Sequence, residues 1–257
     1  PAQWTATGST NDIAAGNGVN AVLNVLRGVS FFDNNVNQID LNTGVVTEVV
    51  STAAIGALTG GNVNLTAANE TATDGTIFAY ESVSDSIISI SGTNALAIEV
   101  STADLGSTNV GGLAVAGTDL YIGDNTSDEL VVWDVVSNTK TTVFTTAQID
   151  ALTDDVDGNV GFGDIIVGPD GRAYFYETDA DYLFTFDVLD AAATLSVVLT
   201  EQELLDGPGT DRLGQLAILN GEVAWTNPGV GFFTVPEPAT GALIALGGLA
   251  MLRRRSA

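Results

Sequence analysis

Gly163 to Leu205 reads GDIIVGPDG, RAYFYETD, ADYLFTFDVLDA, AATLSVVLTEQELL. Each phrase carries a short run of β-branched and aromatic residues, and Gly, Pro, Asp or Asn separates one run from the next. That pattern predicts four strands joined by tight turns. Gly111 to Ile149 has the same four parts: GGLAVAG, TDLYIGDN, TSDELVVWDVVSN, TKTTVFTTAQI. Related units run from Val29 to Ile55 and from Gly75 to Leu105, and a shortened one from Leu213 to Val235.

Counted from first hairpin to first hairpin, the units recur every 43–54 residues or so, which matches the period of propeller blades. Their first hairpins are expected at Arg27-Gly28, Thr73 to Gly75, Gly117 to Asp119, Pro169 to Gly171 and Asn220-Gly221. Gly, Asn and Asp tolerate the positive φ that such turns require. The third strands end in Ile39-Asp40, Trp133-Asp134 and Phe186-Asp187. Asp at a strand end accepts backbone N–H bonds and opens the next turn, which is preferred here over a ligand role. Runs such as LVVW and YLFTF are apolar without alternation, as sheets packed on both faces require. The phrases STAAIGAL, STADL, TTAQIDAL and TEQELL follow the fourth strands and predict short capped helices, with Thr200 and Glu203 forming a capping box. The last unit lacks a fourth strand, and Ala2–Thr7 has the alternation to supply it and remove an open edge. The expected fold is therefore all-β: a propeller of five four-stranded blades closed by an N-terminal strand, followed by a short C-terminal apolar helix.

The units resemble NHL and gluconolactonase-like propeller repeats, best at GDIIVGPDGRAYFYETDADYLFTFD (Gly163 to Asp187) and less closely at Gly111 to Asp134. In gluconolactonase-like members a metal sits over the central channel on Glu, Asn and Asp side chains. No position here matches those ligands one by one, so none is carried over. The resemblance implies architecture, and propellers serve many functions.

The chain of 257 residues carries 32 acids against seven bases, for a net charge of −25. Three of the bases are Arg253, Arg254 and Arg255, which leaves Arg27, Lys140, Arg172 and Arg212 for the body. Such a body repels phosphate backbones, and a nucleic-acid role is excluded. Without Cys or His, zinc sites with the usual ligands, Ser-His-Asp and Cys-His catalysis, and haem ligation through those residues are excluded. Gly207 to Gly214 lacks the lysine of a phosphate-binding loop. Propeller topology puts the second-to-third-strand loops and the inter-blade connections at one end of the body, and most of the acids fall there. The densest stretch is LTDDVDGNVGFGD, Leu152 to Asp164. Asp154, Asp155, Asp157 and Asn159 are candidate ligands for a hard cation such as Ca²⁺, which takes oxygen donors. The stretch is not an EF-hand, because Gly158 comes early and Ile166 stands where the closing Glu belongs. Exposed loops that are charged only for solubility explain the same acids.

The chain ends VPEPATGALIALGGLAMLRRRSA. Proline stops the preceding strand at Pro236-Glu237-Pro238. Residues 239–252 are uncharged, and as a helix they would span about 21 Å, against a hydrocarbon core of about 30 Å. Arg253–Arg255 supply a cytoplasmic anchor by the positive-inside rule, so the body is expected on the exported side. Pro-Glu-Pro, an apolar stretch and an Arg cluster in that order resemble the PEP-CTERM sorting signal. The resemblance implies an exosortase partner that recognises Pro236, Glu237 and Pro238. It also implies a transient hold in the inner membrane through residues 239–252 and delivery to the cell surface or extracellular matrix. Pro1 is not a start residue, and an export signal is expected upstream. Residues 1–235 are thus read as the propeller and 236–257 as the sorting signal. The leading expectation is a non-enzymatic surface or matrix binding module that meets polysaccharide through a divalent cation. A metal-dependent hydrolase or lactonase, or a structural matrix protein without a ligand, are the alternatives.

Overall fold

In the computed structural model the described residues are 13–14, 19–20, 25–30, 33–40, 42–72, 74–153, 158–168, 170–205, 216–219, 222–226 and 232–235. Their strands form five separate antiparallel sheets. The first holds β1 (Ile13–Ala14) and β2 (Val19–Asn20), both against β3 (Val25–Ser30), then β4 (Asn35–Asp40) and β5 (Val46–Val50). Helix α1 (Thr52–Thr59) leads to the second: β6 (Leu65–Thr71), β7 (Ile77–Glu81), β8 (Ser86–Ile90) and β9 (Leu96–Val100). Helix α2 (Thr102–Leu105) leads to the third: β10 (Val110–Ala116), β11 (Asp119–Asp124), β12 (Glu129–Asp134) and β13 (Thr139–Phe144). Helix α3 (Thr146–Asp150) precedes the fourth, which comprises β14 (Phe162–Val167), β15 (Arg172–Glu177) and β16 (Tyr182–Asp187), then α4 (Ala191–Thr194) and β17 (Ser196–Leu199). After α5 (Glu201–Leu205) come β18 (Leu216–Leu219), β19 (Glu222–Thr226) and β20 (Phe232–Val235).

Alternate residues of one strand feed two different cores. On β7, Ile77 and Ala79 pack with Val29, Val36 and Val50 of the first sheet. Phe78 and Tyr80, on the other face, pack with Leu113, Leu120 and Trp133 of the third. On β11, Leu120 and Ile122 face the second sheet, while Tyr121 meets Phe175 and Phe186 of the fourth. On β15, Phe175 looks back to the third sheet and Tyr174 forward to Leu216 of the fifth. Every core is therefore the space between two consecutive sheets, which is the packing of a β-propeller. Gly111 and Gly112 let the inner strands β10 and β14 touch, because a Cβ on Gly112 would lie 2.3 Å from the Gly163 carbonyl oxygen.

Hydrogen bonds reinforce the neighbour relations. The Leu65 N–H donates to Asn34 Oδ1 at 2.8 Å, across the first and second sheets. Asn125 clasps Phe162 of the next sheet, donating to its carbonyl at 3.1 Å and accepting from its N–H at 2.6 Å.

Most of the turn chemistry agrees with the sequence. Gly75, Gly117 and Gly171 take positive φ in the first hairpins. Asp40 Oδ1 accepts from the Asn42 and Thr43 N–H, Asp134 Oδ1 from Val136 and Ser137, and Asp187 Oδ1 from Leu189. Ser51 and Ser101 cap α1 and α2, Thr145 and Gln148 form a capping box on α3, and Thr200 and Glu203 form one before α5. Arg27-Gly28 departs from expectation: it lies inside β3, not in a hairpin. The Arg27 guanidinium is buried and donates to the Gly75 and Ser91 carbonyls and to Asn94, so it ties the first sheet to the second. Helix α4, between the third and fourth strands of the fourth sheet, was also not foreseen. Ala2–Thr7, Asn220-Gly221 and the C-terminal apolar segment lie outside the described residues.

Phe186 is fully buried and touches the rings of Tyr121, Phe144 and Phe175. Phe186→Ala should cost about 3–5 kcal/mol, while Val136→Ala at an exposed turn should stay within about 0.5 kcal/mol. Denaturant titrations of both variants check this.

Candidate functional site

The carboxylates that could carry function fall into two groups, and their surroundings differ. The first closes the hairpins between second and third strands. Glu81, Asp124 and Glu177 each end a second strand, and Asp85, Asp128 and Asp181 each stand four residues on at positive φ. Asp tolerates that conformation because its short side chain bonds locally. The buried Glu81 accepts from the N–H groups of Asn64, Val83 and Ser84 at 2.8, 3.0 and 2.8 Å and from the Ser84 hydroxyl. Burial alone would raise its pKa, yet these donors hold it below the ordinary glutamate value. Asp124 behaves alike: burial is outweighed by the Ser107 hydroxyl and by the Thr126 and Ser127 N–H groups, and Lys140 Nζ sits 3.6 Å from its Oδ2. Glu177 accepts from Gly161, Asp179 and Ala180, but there burial wins and the pKa rises. The Tyr80 hydroxyl donates to Asp85 at 2.9 Å and Tyr176 donates to Asp181. Most of these oxygens are thus occupied in building the turns.

The second group lies on the inner strands. Asp164 sits in a β-bulge of β14, between the paired residues Phe162 and Ile165. Bulges re-aim side chains. Its Oδ1 accepts from the Ile165 N–H at 3.0 Å and its Oδ2 from the Leu216 N–H at 2.8 Å, linking the fourth sheet to the fifth. Burial, with the nearby charge of Glu70 adding to it, pushes the Asp164 pKa up to about 7. Glu70, on the inner strand β6, is itself buried and accepts from the Thr71 N–H at 2.6 Å. Burial is the larger cause, so the Asp164 carboxyl keeps its proton close to neutral pH. Such a carboxyl can hold or pass a proton. Glu70 did not stand out in the sequence, and Asp164 did so only as the end of the acidic stretch from Leu152. The available signal was an acid inside an inner-strand phrase, ANET and GDIIV, where its neighbours are mostly apolar or small.

Asp154, Asp155 and Asp157 of the expected cation loop lie outside the described residues, and Asn159 is exposed just beyond them. Among the described residues, no three Asp, Glu, His or Cys side chains come together to hold a metal. The acids are also less one-sided than expected. Asp40, Asp134, Asp187 and Asp190 sit at the third-to-fourth-strand turns, at the end opposite to Glu81, Asp124 and Glu177. Pro236, Glu237, Pro238 and Arg253 to Arg255 lie outside the described residues too, and no described helix is long and apolar enough to cross a membrane.

Solved structures share the fold. A chain of a nidogen/laminin complex superposes with a TM-score of 0.56 at 13% identity, covering 80% of this chain and 68% of that one. Virginiamycin B lyase from Staphylococcus aureus gives 0.53 at 13% identity, over 83% of this chain and 78% of its own. A luciferin-regenerating enzyme gives 0.51 at 8% identity, covering 82% of each. At these identities the likeness is one of architecture, and the chain is a β-propeller of this general kind. Residues 234–256 match the PEP-CTERM protein-sorting motif. The chain therefore ends in a signal for export to the cell envelope or surface. No curated protein matches it in sequence.

The Asp164 environment predicts a pH dependence. Between its ordinary value of 3.8 and about 7 the folded chain holds a proton that the unfolded chain has released. Stability should thus fall as pH rises through that window, by up to about 4 kcal/mol, and level off above it. Glu177 adds in the same direction. Glu70→Gln removes the repulsion and should shallow the slope, which thermal melts from pH 4 to 8 would show.

Proposed function

We propose that this chain is an exported five-bladed propeller, residues 1–235, that works as a non-enzymatic binding module at the cell surface or in the extracellular matrix. Residues 236–257 form its sorting signal, held in the inner membrane through residues 239–252 and recognised by an exosortase at Pro236-Glu237-Pro238. The observation that carries this reading is the sorting-motif match at 234–256, which begins inside β20. The binding role is supported by the use of the hairpin carboxylates as turn caps, and by the engagement of Arg27, Lys140 and Arg172 with other parts of the fold. Acidic polysaccharide would then be met through a divalent cation at Asp154, Asp155, Asp157 and Asn159, since a body this acidic repels an anionic polymer directly.

The rival reading, a hydrolase or lactonase acting at the channel, is favoured by the raised pKa of the inner-strand Asp164, with the Glu70 charge nearby. Virginiamycin B lyase and the luciferin-regenerating enzyme are named for activities on a related fold, and fold alone does not transfer them.

Two measurements test the leading reading. Co-expression with an exosortase should release the body from the membrane, and Glu237→Ala should leave it membrane-bound; release of both forms alike would overturn the sorting claim. Calcium should raise the melting temperature and give binding heat in calorimetry. Both effects should vanish in Asp155→Asn/Asp157→Asn, and their persistence there would remove the cation loop.

A further inference from the structure

The sorting signal leaves the body at a defined end. Radial repetition of the sheets sets the inner strands β14 and β18 in the same direction, and the Leu216 N–H bonds Asp164 near the starts of both. Strand direction alternates from there. β20, the third strand of its sheet, pairs with β19 so that Val235 lies opposite Val223, next to the β18–β19 hairpin where Leu219 faces Glu222. β20 therefore finishes at the end that carries the first-to-second and third-to-fourth turns of the described sheets. The opposite end carries the Glu81, Asp124 and Glu177 hairpins and helices α1, α2, α3 and α5.

Only Pro236, Glu237 and Pro238 separate β20 from the uncharged stretch 239–252. Three residues reach at most about 11 Å. Strands of four to seven residues, rising roughly 3.3 Å each, set the two ends of the body about 13–23 Å apart. The exit end also bears exposed apolar side chains, one at each of three turn tips: Leu189 is 93% exposed, Val136 74% and Val45 58%. On the other end Val83 (55%) and Leu152 (42%) are less open than Leu189 and Val136.

We propose that the exit end is a lipid-contact surface. While the tail is in the membrane, the propeller rests on the bilayer through the turns bearing Val45, Val136 and Leu189. The hairpins of Glu81, Asp124 and Glu177 and the inter-sheet helices then face outward, where partners meet them. This rests on the reading of 239–252 as a membrane segment. The exit end also carries Asp40, Asp74, Asp119, Asp134, Asp170, Asp187 and Asp190, so the lipid it fits is zwitterionic; a strongly anionic surface would repel it.

The chain has no Cys, so one introduced thiol is a unique label. Full-length Leu189→Cys and Val136→Cys report the exit end, and Ala103→Cys and Ala147→Cys, exposed on α2 and α3, report the other. Each is labelled with a fluorophore and reconstituted into phosphatidylcholine vesicles containing a headgroup nitroxide quencher. The expected result is co-flotation of all four, with quenching at Leu189 and Val136 at least twofold above that at Ala103 and Ala147. Flotation with equal quenching, or stronger quenching at Ala103 and Ala147, overturns the orientation and leaves the membrane reading of the tail intact. Absence of flotation overturns that reading and the lipid-contact surface with it.

Discussion

Burial of both faces of the same strands governs the whole structure. β7, β8, β15 and β16 are buried along almost their full length. A single sheet with two apolar faces cannot be stable in water, since each exposed face would forgo about 25 cal/mol for every Å² it fails to bury. Each sheet must therefore find a neighbour on both sides. Four consecutive cores in chain order are the result, and each further sheet is added by a short capped helix and not by a long crossover. The aromatic residues gather between the third and fourth sheets, where Phe175 and Phe184 stack at 5.1 Å and Phe144 meets Phe186 edge-on at 5.1 Å.

Polar groups follow from this arrangement. Turning a strand at a buried edge leaves backbone N–H groups that must be satisfied. Glu81, Asp124 and Glu177 provide acceptors there, as the more exposed Asp40, Asp134 and Asp187 do at the opposite turns. Helix-start threonines add a second tie: Thr52, Thr102 and Thr146 each donate to a carbonyl in the adjacent second-to-third hairpin, at Asp33, Ser84 and Asp128. Glu201 stands at the corresponding place before the fifth sheet and cannot donate in that way. A large share of the acidity of this chain is consequently architectural. Asp164 is the exception: on its inner strand it ties the fourth sheet to the fifth through the Leu216 N–H, and burial, with the Glu70 charge nearby, raises its pKa.

The legible parts of the sequence were those written in local chemistry. Positive-φ glycines, Asp at strand ends and Ser or Thr before short helices each act within a few residues, so the turns and caps could be read one at a time. Arg27-Gly28 looked like a hairpin for the same local reason. Its true role depends on Gly75, Ser91 and Asn94, which lie 48 to 67 residues away. The coupling of Glu70 to Asp164 was hidden likewise: it needs β6 and β14 to flank β10, and Gly111 and Gly112 to let the inner strands close up.

By itself the sequence determined the repeat, the strand-and-turn grammar, the absence of thiol and imidazole chemistry, and the sorting motif at its end. All of these are properties of adjacent residues or of composition. Only the tertiary structure decided which carboxylates serve turns, which carboxyl burial raises in pKa, and at which end of the body β20 finishes. Those outcomes depend on desolvation and strand direction, and both arise only when residues far apart in the chain are packed side by side.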